Sequence, residues 1–161
     1  MRIISRLFLL IVASSFVTVA SAQRKPVNKP VVTSTQKFKP PKLYTFLTSY
    51  KDSVSIPVAI AESIIAGKLK IYDDKKTEYT VSSYQFLYKK KTVTEDELTG
   101  KVSAASSMVS ERFTVSPLPG LWIDKIREQL KAGEELYFFD VIAKDAQGRV
   151  MYASSLKIIT Q

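Results

Sequence analysis

Histidine and cysteine are both absent from this 161-residue sequence. Without imidazole and thiol groups, the chain has no histidine base, no cysteine nucleophile and no disulfide. A zinc site built from Cys and His ligands is excluded as well. The five glycines are widely spaced and form no glycine-rich phosphate loop. We therefore expect a protein that acts through surface contacts, with no enzymatic activity, no catalytic residues, no cofactor and no bound metal.

Residues 1–22 have the pattern of a secretory signal peptide. Arg2 and Arg6 precede an apolar run, and the small residues Ala20 and Ala22 stand just before Gln23, as signal peptidase requires. The apolar run is shorter than the roughly 20 residues that a membrane-spanning helix needs. The pattern predicts cleavage between Ala22 and Gln23, no transmembrane segment afterwards, and a periplasmic or secreted protein.

The formal charge of +9 is concentrated near the N-terminus. Residues 1–22 hold two of the 24 basic residues and residues 23–43 hold six, which leaves 16 for residues 44–161 against all 15 acids. Residues 23–43 also contain four prolines, which favour extended chain without regular hydrogen bonds. We therefore predict a disordered basic linker that is able to contact anionic lipid, glycan or cell-wall polymer. The nearly neutral remainder argues against nucleic acid as a partner.

Two-residue alternation dominates residues 44–161 and predicts one mainly β domain. In the segment 78–90, Tyr79 and Val81 fall on one face of an alternating strand, whereas Tyr84, Phe86 and Tyr88 fall on the other. A bulge at Ser82-Ser83 would place all five side chains on the same face. Candidate strands lie at residues 44–50, 54–58, 68–72, 78–90, 136–143 and 150–158. Tyr44, Phe46 and Tyr50 share one phase in the first of them.

One amphipathic helix is predicted at residues 119–132. Pro119 suits a first turn and Gly133 suits a helix end. The residues expected on its apolar face are Leu121, Trp122, Ile126, Gln129 and Leu130. Residues 59–67 are ambiguous and are predicted to form a helical turn that ends at Gly67.

The C-terminal part of the chain resembles a known family. The similarity covers residues 68–160 and is carried by the helix end Leu130-Lys131-Ala132-Gly133, the strand 136–142 and the turn 145–149 with Gly148-Arg149. These features resemble the C-terminal domain of GldM, also called PorM, a periplasmic protein of bacterial gliding motility and type IX secretion. The resemblance implies an immunoglobulin-like β-sandwich that binds other cell-envelope proteins and has no catalytic role.

The chain also departs from GldM. That family has a membrane-spanning helix and several periplasmic domains, whereas this sequence combines a cleavable signal with one domain. The resemblance therefore implies an accessory of the machinery. Two alternatives stay open: cargo of type IX secretion, whose sorting domains loosely resemble the segment with Gly148-Arg149, and a secreted carbohydrate-binding module built on the many aromatic residues.

Several side chains are candidates for chemistry, each with a structural alternative. The acidic runs 73–74 and 95–97 contain calcium-type oxygen ligands but lack the spacing of a calcium loop, so we interpret them as turns. Glu62, Glu111 and Asp140 are the acids least typical of turns, and Asp140 is either bonded to a nearby donor or directed at a site. The serines near Lys101 offer a Ser–Lys pair, but the small polar residues around them indicate a flexible connection.

Overall fold

An 18-residue strand, β5 (Glu78–Glu95), organises residues 38–161, which are the residues that this computed structural model describes. The predicted signal peptide with Ala20, Ala22 and Gln23, and the predicted linker up to residue 37, lie outside the described residues. The other strands are β1 (Leu43–Leu47), β2 (Tyr50–Lys51), β3 (Ser53–Ile56), β4 (Leu69–Asp73), β6 (Val102–Phe113), β7 (Glu135–Lys144), β8 (Val150–Tyr152) and β9 (Leu156–Thr160). The helices are α1 (Val58–Ile64) and α2 (Gly120–Gln129).

All nine strands belong to one mixed sheet with the order β2-β1-β4-β5-β7-β9-β3, while β6 pairs with β5 and β8 with β7. The two ends of the sheet approach each other: the N–H of Ser154 donates to the carbonyl of Leu43 over 2.9 Å, and the N–H of Lys157 donates to that of Asp52 over 2.7 Å. The sheet is therefore nearly closed into a barrel. The predicted two-sheet immunoglobulin-like sandwich is wrong, because the strands form one sheet that curves around a single interior and do not form two sheets packed face to face.

The barrel interior is filled by large apolar side chains from several strands. The largest fully buried side chains are Tyr84, Tyr88, Phe86, Phe138, Leu47, Ile65, Ile71, Ile126, Leu136, Leu156, Ile158 and Val141. Both helices contribute, because Ala61 of α1 and Ile126 of α2 have no exposed surface. The side chain of Arg127 also links α2 to α1 by donating from Nε to the carbonyl of Glu62 over 3.1 Å.

Two bulges keep the long central strands facing the interior. Between Val81 and Ser83, β5 has one residue more than β7, which confirms the bulge predicted at Ser82-Ser83. A second bulge places the extra residue on β7 at Asp140, which has a φ of 46°. The buried phase of β7 therefore changes from Leu136 and Phe138 to Val141 and Ala143. Bulges of this kind bend strands and favour closure of the sheet.

The predicted helix is present but shorter than expected, and it is not the only one. Helix α2 ends at Gln129 because Leu130 is already extended, and Gly133 makes the following turn with a φ of 80°. The buried residues of α2 are Ile123 and Ile126, and Leu130, directly after the helix, is buried as well. Leu121, predicted on the apolar face, is 80% exposed. Helix α1 forms where a helical turn was expected. Within residues 38–161, neither helix has the length and apolar composition that crossing a bilayer requires.

Two strand phases differ from the predictions. In β1, Leu43, Thr45 and Leu47 are buried and the aromatics lie on the outer face. Leu43, within the stretch assigned to the linker, is therefore part of the first strand. The segment 150–158 is two strands, and Met151 is the buried residue of β8, in the opposite phase to Val150 and Tyr152.

We expect Trp122→Ala to destabilise the domain by about 3 kcal/mol, because truncation of a packed tryptophan leaves a cavity. The half-buried indole packs edge-on against Phe86 at 5.5 Å and against Phe113 at 5.8 Å between ring centroids. Urea unfolding of the variant measures the change. The neighbouring variant Leu121→Ala is the matched control, since this exposed side chain should contribute less than about 0.5 kcal/mol. Equal stability of the two variants would contradict the packing role of Trp122.

Candidate functional site

A two-stranded arm, residues 90–107, projects from the barrel. The pairing of β5 with β7 ends at Lys89 and Glu135, but its pairing with β6 continues through Lys90 and Ser107 to Glu95 and Val102. Beyond Lys90, Ala105 alone is half-buried, and every other side chain of the arm is exposed. The sequence interpretation ended the strand at Lys90 and treated residues 102–107 as a flexible connection. The structure instead continues β5 to Glu95 and places residues 102–107 in β6. Alternation could not reveal these strands, because neither of their faces is buried.

The arm ends in an ordered turn. The carboxylate of Asp96 accepts hydrogen bonds from the backbone N–H and the hydroxyl of Thr99, each at 2.9 Å, and from the N–H of Leu98 at 3.0 Å. These bonds hold the pKa of Asp96 below its ordinary value. Gly100 completes the turn with a φ of 66°. The acids 95–97 thus shape a turn, and no cluster of metal-binding side chains occurs in residues 38–161.

A buried carboxylate anchors the base of the arm. Glu134 is 2% exposed and accepts hydrogen bonds from the hydroxyl of Tyr88, from the N–H of Lys91 at 3.2 Å and from the N–H of Lys131 at 3.0 Å. Its own N–H donates to the hydroxyl of Thr160 over 3.0 Å. Burial, together with the bond to Glu134, raises the pKa of the Tyr88 phenol. The first residues of the arm are therefore connected to the end of the last strand through one residue, whose carboxylate bonds the arm and whose backbone bonds Thr160.

The outer edge of β6 has no strand partner among residues 38–161. The N–H of Asp96 donates to the carbonyl of Lys101, its opposite residue, over 3.0 Å. Asp96 and Lys101 are therefore a hydrogen-bonded pair, and such pairs alternate with non-hydrogen-bonded pairs along an antiparallel ladder. It follows that the odd-numbered residues of β6 bond to β5, and that the even-numbered residues direct their N–H and C=O groups away from β5. The bond from the N–H of Lys91 to Glu134, on the opposite side of β5, agrees with this phase. The residues that present free backbone groups are Val102, Ala104, Ser106, Met108, Ser110 and Arg112.

The open edge lacks the features that usually protect such edges. Residues 102–110 include no charged residue and no proline. Natural edge strands generally carry lysine, proline, bulges or an inward charge that prevents pairing with another chain. The pairing of β5 with β6 is also free of bulges over all 12 residues. This edge is therefore suited to accept a further strand.

Of the three acids least typical of turns, Asp140 and Glu111 have side-chain partners on the surface, whereas Glu62 lies on α1 and contacts Arg127 through its backbone carbonyl. Asp140 accepts a hydrogen bond from Nε2 of Gln85 at 3.0 Å and lies 3.7 Å from the guanidinium of Arg112. Glu111 accepts a hydrogen bond from Nε1 of Trp122 at 2.9 Å. Asp73, in the other acidic run, accepts from the N–H groups of Lys75 and Thr77 in the predicted hairpin turn.

An aromatic cleft of about 570 Å³ lies on the outer face of β1 and β4. Tyr44 and Tyr72 are directly opposite each other across the two strands, and Phe46 meets Tyr72 edge-on at 5.8 Å. The ammonium groups of Lys42 and Lys51 lie 5.0 and 5.1 Å from the centre of the Tyr44 ring. The cleft was missed because Tyr44 and Phe46 were assigned to an alternating strand without knowledge of which phase is buried.

Comparison with known proteins adds no further assignment, since no protein-family model and no curated protein matches the chain.

We expect Glu134→Gln to destabilise the domain by about 1–3 kcal/mol. Three donors now bond to the two carboxylate oxygens of Glu134, whereas a glutamine amide offers only one acceptor oxygen. The single amide oxygen can replace only one of the two carboxylate oxygens, so amide exchange should accelerate at Lys91 or at Lys131, whichever N–H loses its acceptor. Chemical unfolding and site-resolved exchange are the measurements. The adjacent Glu135→Gln is the control: its ion pairs with Lys89 and Lys157 are partly exposed, so its loss should cost less than about 1 kcal/mol. Unchanged exchange at both amides in Glu134→Gln would contradict the anchoring role.

Proposed function

We propose that this protein is a non-catalytic protein-binding module of the cell envelope. Its binding element is the open edge of β6, which adds an extended strand of another polypeptide to the sheet. The observation that carries the proposal is the long unprotected edge: β6 bonds to β5 on one side, while its even-numbered residues leave backbone donors and acceptors free on the other.

The shape of the arm supports this mode of binding. An isolated two-stranded ribbon is only marginally stable in water, and three or more strands are usually needed for an independent sheet. The anchor at Glu134 holds the base of the arm, and the Asp96 turn orders its tip. The base and the tip of the arm are thus both held by the fold. The arm therefore loses less conformational entropy when a partner binds.

Location and pathway rest on the sequence. The cell-envelope assignment depends on the signal pattern of residues 1–22, and the accessory or cargo role in type IX secretion depends on the resemblance to GldM. That resemblance implies an immunoglobulin-like sandwich, whereas the observed sheet is barrel-like, so strand addition at β6 is proposed independently of it. The roles of Asp140 and Glu111 in surface hydrogen bonds support a function without catalysis.

Ser106→Pro should abolish binding without unfolding the domain, because the lost N–H faces the open edge and proline is tolerated at such positions. The experiment compares tagged wild-type protein, Ser106→Pro and the control Ser106→Ala in their capture of polypeptides from envelope extracts, including untagged copies of this chain. Wild type and Ser106→Ala should enrich the same polypeptide, and Ser106→Pro should not. Ser107→Pro, which removes a bond to β5, should lower the melting temperature instead. Undiminished capture by a folded Ser106→Pro would contradict the proposal.

A carbohydrate-binding module is the second candidate, and the aromatic cleft is the observation that favours it. Tyr44, Phe46 and Tyr72 form a half-buried aromatic cluster with Asp74 and Lys76 at the rim, a combination that suits sugar stacking and hydroxyl contacts. The two lysine ammonium groups beside the Tyr44 ring weaken this candidate, since they occupy space that a stacked sugar needs.

Glycan-array binding tests the second candidate. If the cleft binds sugar, Tyr72→Ala should lower glycan affinity at least about tenfold, the loss of one stacking contact. The control Tyr152→Ala removes an exposed tyrosine of β8 outside the cleft and should bind like wild type. Absence of any glycan bound by wild type, or equal losses in both variants, would rule out this candidate.

A further inference from the structure

We infer that the strand added at β6 belongs to a second copy of this chain, so that two arms pair antiparallel about a twofold axis at Ser106. This inference rests on the proposed function, because it names the partner of the same edge. A twofold axis perpendicular to the sheet keeps each side chain on the same face of the sheet. Directly opposite residues must therefore both be even-numbered or both be odd-numbered. Each possible register consequently has one central residue, which lies opposite its own copy.

The register centred on Ser106 satisfies the backbone. Ser106 is even-numbered and directs its N–H and C=O outward, so the two copies of Ser106 form a hydrogen-bonded pair at the centre. Ala104 then lies opposite Met108 of the second copy, which places a small side chain against a large one. Four strands in the order β5-β6-β6-β5 would form one continuous sheet and stabilise two arms that are each marginal alone.

Charge complementarity selects this register over its neighbours. Centred on Ser106, the pairing places Lys101 opposite Glu111 of the second copy, and the symmetry forms this contact twice. Centred on Ala105, Lys101 would instead oppose Val109, and centred on Ser107 it would oppose Phe113. Lys101 has no salt-bridge partner within residues 38–161, so its ammonium group is free for the contact. Oppositely charged residues directly across a strand pair stabilise it.

The register fixes how the two barrels are placed along the strands. Ser107, the last arm residue of the second β6, lies level with Ala105 of the first chain, so the bases of the two arms are two residues apart. Residues 101–104 of each chain therefore pair with residues 108–111 of the other copy, where β6 lies on its own barrel. The two barrels lie on opposite sides of the four paired strands, because each barrel continues from its own β5.

The absence of native cysteine permits a register-specific test in the full chain. In Ser106→Cys, the two thiols lie on a hydrogen-bonded pair with Cα atoms about 5.5 Å apart, within disulfide range. Mild oxidation should therefore convert most of the protein to a covalent dimer. The control Ser103→Cys should form no covalent dimer after the same oxidation, as read on a non-reducing denaturing gel. Its two copies lie six residues apart along the strands, about 20 Å.

Charge reversal tests the Lys101–Glu111 contact independently of cysteine. Wild type should show a concentration-dependent dimer by light scattering, and Lys101→Glu should weaken it by about tenfold, because two attractive contacts become repulsive. Adding Glu111→Lys should restore dimerisation, with thermal melting as the check that each variant folds. Glu111→Lys also removes the acceptor of Trp122, so a second comparison leaves Glu111 unchanged. In that comparison Lys101→Gln, which removes the attraction without adding repulsion, should weaken the dimer less than Lys101→Glu.

The outcomes separate this inference from the proposed function. Equal cross-linking of Ser103→Cys and Ser106→Cys, or a monomer at every concentration, would overturn the second copy as the partner. If, in that case, Ser106→Pro still abolishes capture of a different envelope polypeptide, strand addition at β6 stands with another occupant. If Ser106→Pro also captures normally, both proposals fail.

Discussion

The buried carboxylate of Glu134 is the constraint on which the arrangement of the arm depends. It accepts bonds from the hydroxyl of Tyr88 and from the backbone of Lys91 and Lys131, and its backbone is bonded to Thr160. One residue thereby joins β5 at its exit from the barrel, the turn after α2 and the last strand. A carboxylate buried without these donors would be strongly destabilising, so the fold is required to keep all of them in place. The backbone of β5 is therefore held at Lys91, where the arm leaves the barrel.

The two sides of β5 explain why one edge is protected and the other is open. Toward β7, pairing ends at Lys89 and the next N–H, that of Lys91, is taken by Glu134. Toward β6, pairing continues to the tip, and β6 has no further neighbour in the described part of the chain. The arm thus has one edge closed by a side chain at its base and one long edge with free backbone groups. A polypeptide in extended conformation is the kind of ligand that such an edge recognises.

Features whose causes are local were predicted well. The Asp73 turn and the bulge at Ser82-Ser83 follow from turn chemistry and residue phase, whereas α2 ends at Gln129, three residues before the predicted end at residue 132. Features that depend on distant residues were not. The parallel pairing of β3 with β9 and the contact of Leu43 with Ser154 convert a set of alternating strands into a barrel, and alternation is the same in a sandwich. The phase of β1 was misjudged because both of its alternating sets contain large side chains.

The sequence by itself determined the chemical limits of this protein: no thiol, no imidazole, a basic N-terminal stretch and a nearly neutral, mainly β remainder. It also determined local turns and the amphipathic character of α2, because these depend on residues a few positions apart. Only the tertiary structure decided that the sheet nearly closes, that Glu134 is buried among three donors, and that residues 90–107 form an arm with an open edge. A strand exposed on both faces has no hydrophobic period, so its existence depends on the partner strand across the turn and is visible only once that pairing is known.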